Sequence, residues 1–91
     1  MFKSADKKLE KLGFEKVDDG LHVYYERYNE KYNYTQVLAL VHKQSGYHIV
    51  QSYDKNLMDE NKIGNICVGL TMYEMKLCLK KMKEKGWKIK K

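Results

Sequence analysis

The chain lacks proline altogether, has only two cysteines and one arginine, and contains no long apolar run. Two cysteines are too few for a disulfide scaffold and, by themselves, for a structural zinc site. No stretch approaches the roughly 18 apolar residues of a membrane span, and the first residues lack the apolar core of a signal peptide. We therefore expect a soluble, cytoplasmic protein that does not use a membrane as its partner.

The 91 residues suit a single domain over residues 1–91, and a hydrophobic content of 43% is enough for a small core. The formal net charge is +6. The whole excess is C-terminal, since residues 76–91 hold eight lysines and one glutamate. Such a segment is typical of a solvated helix face or of a surface that contacts anions.

The first predicted element is a short amphipathic helix over residues 4–12. Its apolar positions recur with the spacing of one helical face: Ala5, Leu9 and Leu12. Ser4 is a suitable N-cap. Gly13 suits the position just after the helix, where a Schellman motif would let Phe14 pack on Leu9.

The strongest local signal lies in the C-terminal third of the chain. Thr71 and Glu74 have the spacing of a capping box, which predicts a helix that starts at Met72. The apolar positions that follow have the spacing of a face laid on a sheet: Met75, Cys78, Leu79 and Met82. Gly86 then ends the helix, and Trp87 takes the position that packs back on the last turn.

Between the helices the apolar period changes to two, which is the period of a half-buried strand. We predict four strands, over residues 14–18, 21–28, 34–41 and 47–53. The third is apolar on both faces, which favours a central strand, and Asp19-Gly20 predicts a tight hairpin between the first two. The remaining predictions are a loop over residues 54–62, a short strand over 63–68 and an edge strand over 88–90.

These elements predict an α+β fold, in which a three- to four-stranded antiparallel sheet is packed by an N-terminal and a C-terminal helix. Their order resembles small uncharacterised phage and prophage proteins of low-GC Gram-positive bacteria. Those proteins similarly open with a helix that ends in Leu-Gly-Phe or Leu-Gly-Tyr, as at Leu12-Gly13-Phe14. They continue with a tyrosine-rich meander and close with a capped helix that ends in Gly-Trp, as at Gly86-Trp87. The resemblance implies a phage or prophage accessory protein of a bacterial cytoplasm and supplies no catalytic residue.

Cysteine and histidine are the usual residues of nucleophilic and metal chemistry, and the chain has few of them. Cys67 and Cys78 both lie in apolar segments, which is typical of buried, unreactive thiols. His42 and His48 would face each other only if the turn between them has three residues rather than two, and only that register brings two imidazoles together for a metal. We predict no catalytic residue, no metal site and no cofactor, and we expect a protein that is not an enzyme.

Tyrosine is the most unusual component, because eight occur and five of them fall within eleven residues. Tyrosine combines a rigid apolar ring with a polar tip, which suits binding surfaces. Alternation puts Tyr24 and Tyr28 on one face of the second strand, opposite Val23 and Tyr25. We predict that Tyr24, Tyr28 and Tyr34 form a sheet surface that binds an unknown protein or a second copy in a homodimer. The alternative is cross-strand pairing that only stabilises an exposed sheet.

The second candidate function is weak, sequence-independent nucleic-acid binding by the lysine-rich C-terminal helix and tail. The lysines concerned are Lys76, Lys80, Lys81, Lys83, Lys88, Lys90 and Lys91. Base readout favours the bidentate guanidinium of arginine, and the chain has only Arg27. A solubilising helix face explains the same lysines without any ligand.

Overall fold

The computed structural model describes residues 4–18, 22–59 and 66–90. Its four strands form one antiparallel sheet, and helices at both ends of the chain pack on it. The α+β architecture predicted from the sequence is therefore confirmed. In chain order the elements are α1 (Ala5–Lys11), β1 (Glu15–Asp18), β2 (Val23–Asn29), β3 (Tyr34–Val41), β4 (Ile49–Asp54), α2 (Lys55–Asp59) and α3 (Met72–Glu84).

The strand order is β1-β2-β3-β4, so each strand pairs with its neighbour in the chain. The connection between β1 and β2 differs from the prediction. Asp18 pairs with Val23, so four residues rather than two join the strands. The prediction of a tight hairpin at Asp19-Gly20 is therefore wrong. Residues 19–21 themselves lie outside the described part of the chain. The partner of each β1 residue is shifted by two positions along β2 relative to a two-residue hairpin. Because side chains alternate with a period of two, every paired side chain keeps its predicted face.

β3 is the central strand of the core, as its apolar run predicts. Residues 36–40 are all buried. On one face Leu38 and Leu40 join the main hydrophobic cluster with residues of α1 and α3. On the other face α2 contacts β3 and β4, and its Lys55 reaches Glu26 of β2. The strand is thus covered on both sides, which explains why it does not alternate.

The predicted helix-end motifs are present at both helices. The Ser4 side chain caps α1, and α3 opens with the expected capping box. α1 ends in a Schellman motif, in which the Phe14 N–H donates to the Leu9 carbonyl at 3.1 Å. α3 ends in the same way, with the Trp87 N–H donating to the Met82 carbonyl at 3.0 Å. Both motifs turn a large aromatic residue back towards the last helical turn.

α3 is rotated about its axis relative to the predicted orientation. Cys78 and Met82 face the core as expected, but Leu79 is 42% exposed and Met75 is exposed as well. Leu77, which is 3% exposed, takes the inward position. The predicted stripe is therefore wrong for Met75 and Leu79.

The rotation follows from two charged residues on the inner side of α3. Glu74 lies 3.1 Å from the Arg27 guanidinium, and Lys81 donates to Asp6 at 2.9 Å. Both charges are buried, and a buried charge is tolerable only when it is paired. Because the two partners belong to β2 and α1, the orientation of α3 depends on elements far away in the sequence.

The remaining connections depart from the predictions in three places. The predicted loop after β4 begins with α2, because the Asp54 carboxylate accepts from the N–H groups of Asn56 and Leu57 and so caps a helical turn. Within the described residues of the predicted strand 63–68, a single bridge joins Cys67 to Tyr53. Residues 88–90 form no strand and instead bond to the turn between β3 and β4. None of the helices in the described ranges is long and apolar enough to cross a membrane.

Candidate functional site

The register of the sheet determines which side chains share a face, since paired residues of antiparallel strands project to the same side. One face carries Val23, Tyr25, Leu38 and Leu40 and forms the core with α1 and α3. The opposite side of β1 and β2 forms an outward surface, which we call the sheet face. Its five side chains are Glu15, Val17, Tyr24, Glu26 and Tyr28.

The three tyrosines predicted to form one surface do not share a face. Tyr24 and Tyr28 both belong to the sheet face, where Tyr28 is 57% exposed and Tyr24 is half-buried. Tyr34 pairs with Asn29, one position out of phase with Tyr28, and so lies on the core side of the sheet at the start of β3. The sheet face therefore keeps two of the three tyrosines and gains Val17, which lies directly opposite Tyr24.

Neighbouring side chains hold both tyrosines of the sheet face. The Tyr28 hydroxyl donates to Asn33 Oδ1, and Asn33 has a left-handed φ of 53°, a conformation that asparagine tolerates. The ring of His22 meets the ring of Tyr24 edge-on at 6.0 Å. Rings that are already ordered lose little conformational entropy on binding, so they suit the role of interface anchors.

The sheet face is acidic between its tyrosines. Glu15 lies directly opposite Glu26 across β1 and β2, an arrangement in which like charges repel. Lys55 Nζ is 3.4 Å from Glu26 Oε1, which offsets only part of this charge. A shallow cavity of about 280 Å³ lies here, lined by Gly13, Glu15, Glu26, Tyr28 and Thr35. This half of the sheet therefore favours basic over acidic side chains on any protein that docks against it.

A second exposed surface runs along α3, on the side turned away from the core. Met72, Met75 and Leu79 are exposed there with the spacing of one helical row. Exposed lysines border this row, and we call the combined surface the helix stripe: Met72, Met75, Lys76, Leu79 and Lys83. Sequence reasoning missed it by assigning Met75 and Leu79 to the core. The available signal was that α3 carries apolar residues on two sides, because Leu77 does not belong to the predicted row.

The lysines of the nucleic-acid hypothesis occupy different environments. Lys81 is 8% exposed and is paired with Asp6, so the structure removes it from any phosphate-binding surface. Lys80 is half-buried and lies 3.9 Å from Glu84. Lys91 lies outside the described residues. Four of the seven are exposed: Lys76, Lys83, Lys88 and Lys90.

Asp6 is the centre of a polar network that locks α1 to α3 and the sheet. It accepts from the Tyr25 hydroxyl and from Lys81, and Lys16 lies 3.5 Å away. Burial raises the pKa of Asp6, but the two hydrogen bonds and the charges of Lys81 and Lys16 lower it by more, so the pKa lies below its usual value. This carboxylate is therefore a structural anion.

Arg27, the only arginine of the chain, is also structural. Besides Glu74, its guanidinium donates to the Leu12 carbonyl at 3.2 Å and to Gln36 at 2.9 Å. It also lies 4.2 Å above the ring of Phe14. These contacts commit Arg27 to the joint between α1, β2, β3 and α3, so it is not available for base readout.

The histidines flanking the turn between β3 and β4 adopt the three-residue register. Their rings stack with centroids 4.8 Å apart, and Trp87 closes the group at 4.9 Å from His42 and 5.0 Å from His48. His48 Nδ1 accepts from the Lys43 N–H, and Nε2 lies 2.6 Å from the Lys88 carbonyl. Both nitrogens of His48 thus have partners, so the ring holds the tail against the turn rather than presenting a lone pair to a metal. Within the described ranges, no group of three or more His, Cys, Asp and Glu side chains is arranged to hold a metal ion.

The two cysteines differ in exposure. Cys78 is buried, and burial together with the charge of Glu74 raises the pKa of its thiol to about 11. A neutral thiol is a poor nucleophile, so Cys78 belongs to the core. Cys67 is exposed, contrary to the prediction that it is buried, and pairs with Tyr53 along the edge of β4 that faces away from β3.

Comparison with known proteins does not add to this description. No protein-family model, curated protein or solved structure matches the chain.

Proposed function

We propose that this protein is a non-catalytic interaction module that binds a partner protein through the sheet face, with Tyr24 and Tyr28 as anchors. The observation that supports it best is the exposed Tyr28, held in place by Asn33. Val17, which is also exposed, lies directly opposite Tyr24 on the same side of β1 and β2, away from the core. Ordered aromatic side chains of this kind supply most of the binding energy in protein interfaces.

The proposal extends to the biological context. The helix-closing motifs resemble those of phage and prophage proteins, so we take the protein to be a phage or prophage accessory protein. It would then work in a bacterial cytoplasm, where its partner would be a phage or host protein, or a second copy.

The test compares three immobilised proteins in a nuclease-treated bacterial extract. They are the wild type, Tyr24→Ser with Tyr28→Ser, and Tyr32→Ser with Tyr47→Ser as a matched control. Tyr32 and Tyr47 are about as exposed as Tyr28 and lie in the connections between strands. We expect a protein retained by the wild type and the control but lost with the Tyr24 and Tyr28 variant. When that protein is purified, its dissociation constant should rise by at least about 30-fold for the variant, the effect of losing a hot spot. Equal retention by all three proteins would contradict the proposal.

A second candidate, nucleic-acid binding, is favoured by one observation: Lys76, Lys83, Lys88 and Lys90 are all exposed. Because Arg27 is committed to the core, such binding would be independent of sequence. We expect the logarithm of the binding constant to fall with that of salt concentration by about 0.9 per neutralised phosphate of a DNA duplex. Fluorescence anisotropy with two unrelated duplexes measures it, and no binding at low salt rules it out.

A further inference from the structure

The sheet face and the helix stripe lie on opposite sides of the molecule and match in chemistry. The sheet face combines Val17, Tyr24 and Tyr28 with an opposed glutamate pair. The helix stripe combines three apolar side chains with exposed lysines. We infer that the sheet face of one copy binds the helix stripe of a second copy, head to tail. This inference rests on the proposed function, because it names the partner of the same face.

Charge supports this pairing of unlike faces. Glu15 and Glu26 repel each other across the strand pair, and a lysine of the helix stripe placed against them replaces repulsion by attraction. Contact between two helix stripes would instead oppose Lys76 and Lys83 to their own copies. Contact between two sheet faces would oppose the glutamate pair to itself. Both symmetric arrangements are therefore unfavourable compared with the head-to-tail contact.

The helix stripe and the sheet face also have similar lengths. From Met72 to Lys83 the helix stripe is about 16 Å long at 1.5 Å per residue. From Tyr24 to Tyr28 the sheet face is about 13 Å long at 3.3 Å per residue. A helix about 10 Å wide covers two adjacent strands, and the cavity beside Tyr28 leaves room for one long side chain. The apolar row then lies against the tyrosines while the lysines reach the acidic centre.

Because the two faces lie on opposite sides of the molecule, a contact between them leaves one free face on each copy and does not close at two copies. The wild type should therefore form assemblies that grow with concentration beyond two copies. A chain with only one working face should act as a terminator. This property provides a test that a symmetric dimer cannot satisfy.

The experiment uses two complementary variants in sedimentation equilibrium. The helix variant is Lys76→Glu with Lys83→Glu, and the sheet variant is Tyr24→Ser with Tyr28→Ser, which keeps the glutamate pair so that the two altered faces repel each other. Each alone should remain at the monomer mass of 10.9 kDa. Their equimolar mixture should reach twice that mass and stop, because one intact helix stripe meets one intact sheet face. Lys7→Glu with Lys11→Glu, and Tyr32→Ser with Tyr47→Ser, are charge-matched controls that should assemble like the wild type.

Three results would overturn the inference: a wild type that stays monomeric to millimolar concentration, a wild type that stops at a dimer, or a mixture that stays monomeric although both variants unfold like the wild type. Failure of the inference is distinguishable from failure of the proposed function. A monomeric wild type whose Tyr24 and Tyr28 still capture another protein overturns only the head-to-tail assembly. Capture that does not depend on these tyrosines overturns the proposed function itself.

Discussion

The orientation of α3 predicts that two neighbouring leucines respond very differently to truncation. Leu77 is 3% exposed and belongs to the core, whereas Leu79 is 42% exposed on the outer side. Leu77→Ala removes buried carbon atoms worth about 0.8 kcal/mol each and leaves a cavity, so it should cost about 2 to 5 kcal/mol. Leu79→Ala should change the free energy of unfolding by no more than about 0.5 kcal/mol, as expected for a surface position. The free energy of unfolding of a domain of this length is about 5 to 14 kcal/mol, so Leu77→Ala should remove a large fraction of the total stability.

Urea unfolding of both variants measures the difference. The fluorescence of Trp87, the only tryptophan, reports the transition, because Trp87 packs against the core cluster. With a slope of about 1 to 3 kcal/mol per molar urea, Leu77→Ala should lower the midpoint by at least about 0.7 M and Leu79→Ala by much less. Equal losses, or a larger loss for Leu79→Ala, would show that α3 presents the other side to the sheet and that the helix stripe is not a surface.

Three further predictions concern the polar and reactive groups. Thr71→Ala removes the N-cap acceptor of α3 and should cost about 1 kcal/mol in the same urea assay; no change would mean that the capping box does not contribute. The pKa of Asp6 is lower in the folded protein than in the unfolded chain, so its charge stabilises the fold at every pH above the pKa of the unfolded chain. This stabilisation is lost as the pH falls through the pKa of the folded protein. The difference in urea midpoint between the wild type and Asp6→Asn should therefore shrink on acidification, and a constant difference would refute the role of the charge. Native protein should show one rapidly alkylated thiol, Cys67, while Cys78 reacts only on unfolding; mass spectrometry of the labelled chain decides between them.

Local signals were enough to predict most of the fold. The capping box at Thr71, the glycines after both helices and the change from helical to alternating period each act within a few residues of the chain. Helix ends and strand positions depend on such short-range effects, so they are predictable from one sequence. The short helix α2 was missed because its five residues carry no apolar period and depend on a single cap from Asp54.

The orientation of α3 and the composition of the candidate surface were not predictable in this way. Glu74 and Lys81 face inward because they form ion pairs with Arg27 and Asp6 on other elements. The sequence of the helix alone does not identify those partners. Apolar periodicity alone therefore assigned the wrong row of α3 residues to the core. The exclusion of Tyr34 from the sheet face has a similar origin, since it depends on the register between β2 and β3 rather than on either strand alone.

Binding of a partner on the outward side of β1 and β2 is measurable residue by residue in an NMR titration. The isotope-labelled protein is titrated with the partner that capture or sedimentation identifies, and backbone amide shifts are followed. We predict that the largest changes occur at Val17, Tyr24 and Tyr28, while the amides around Trp87 stay unchanged. Changes confined to the tail around Trp87, with the amides of β1 and β2 unaffected, would contradict it.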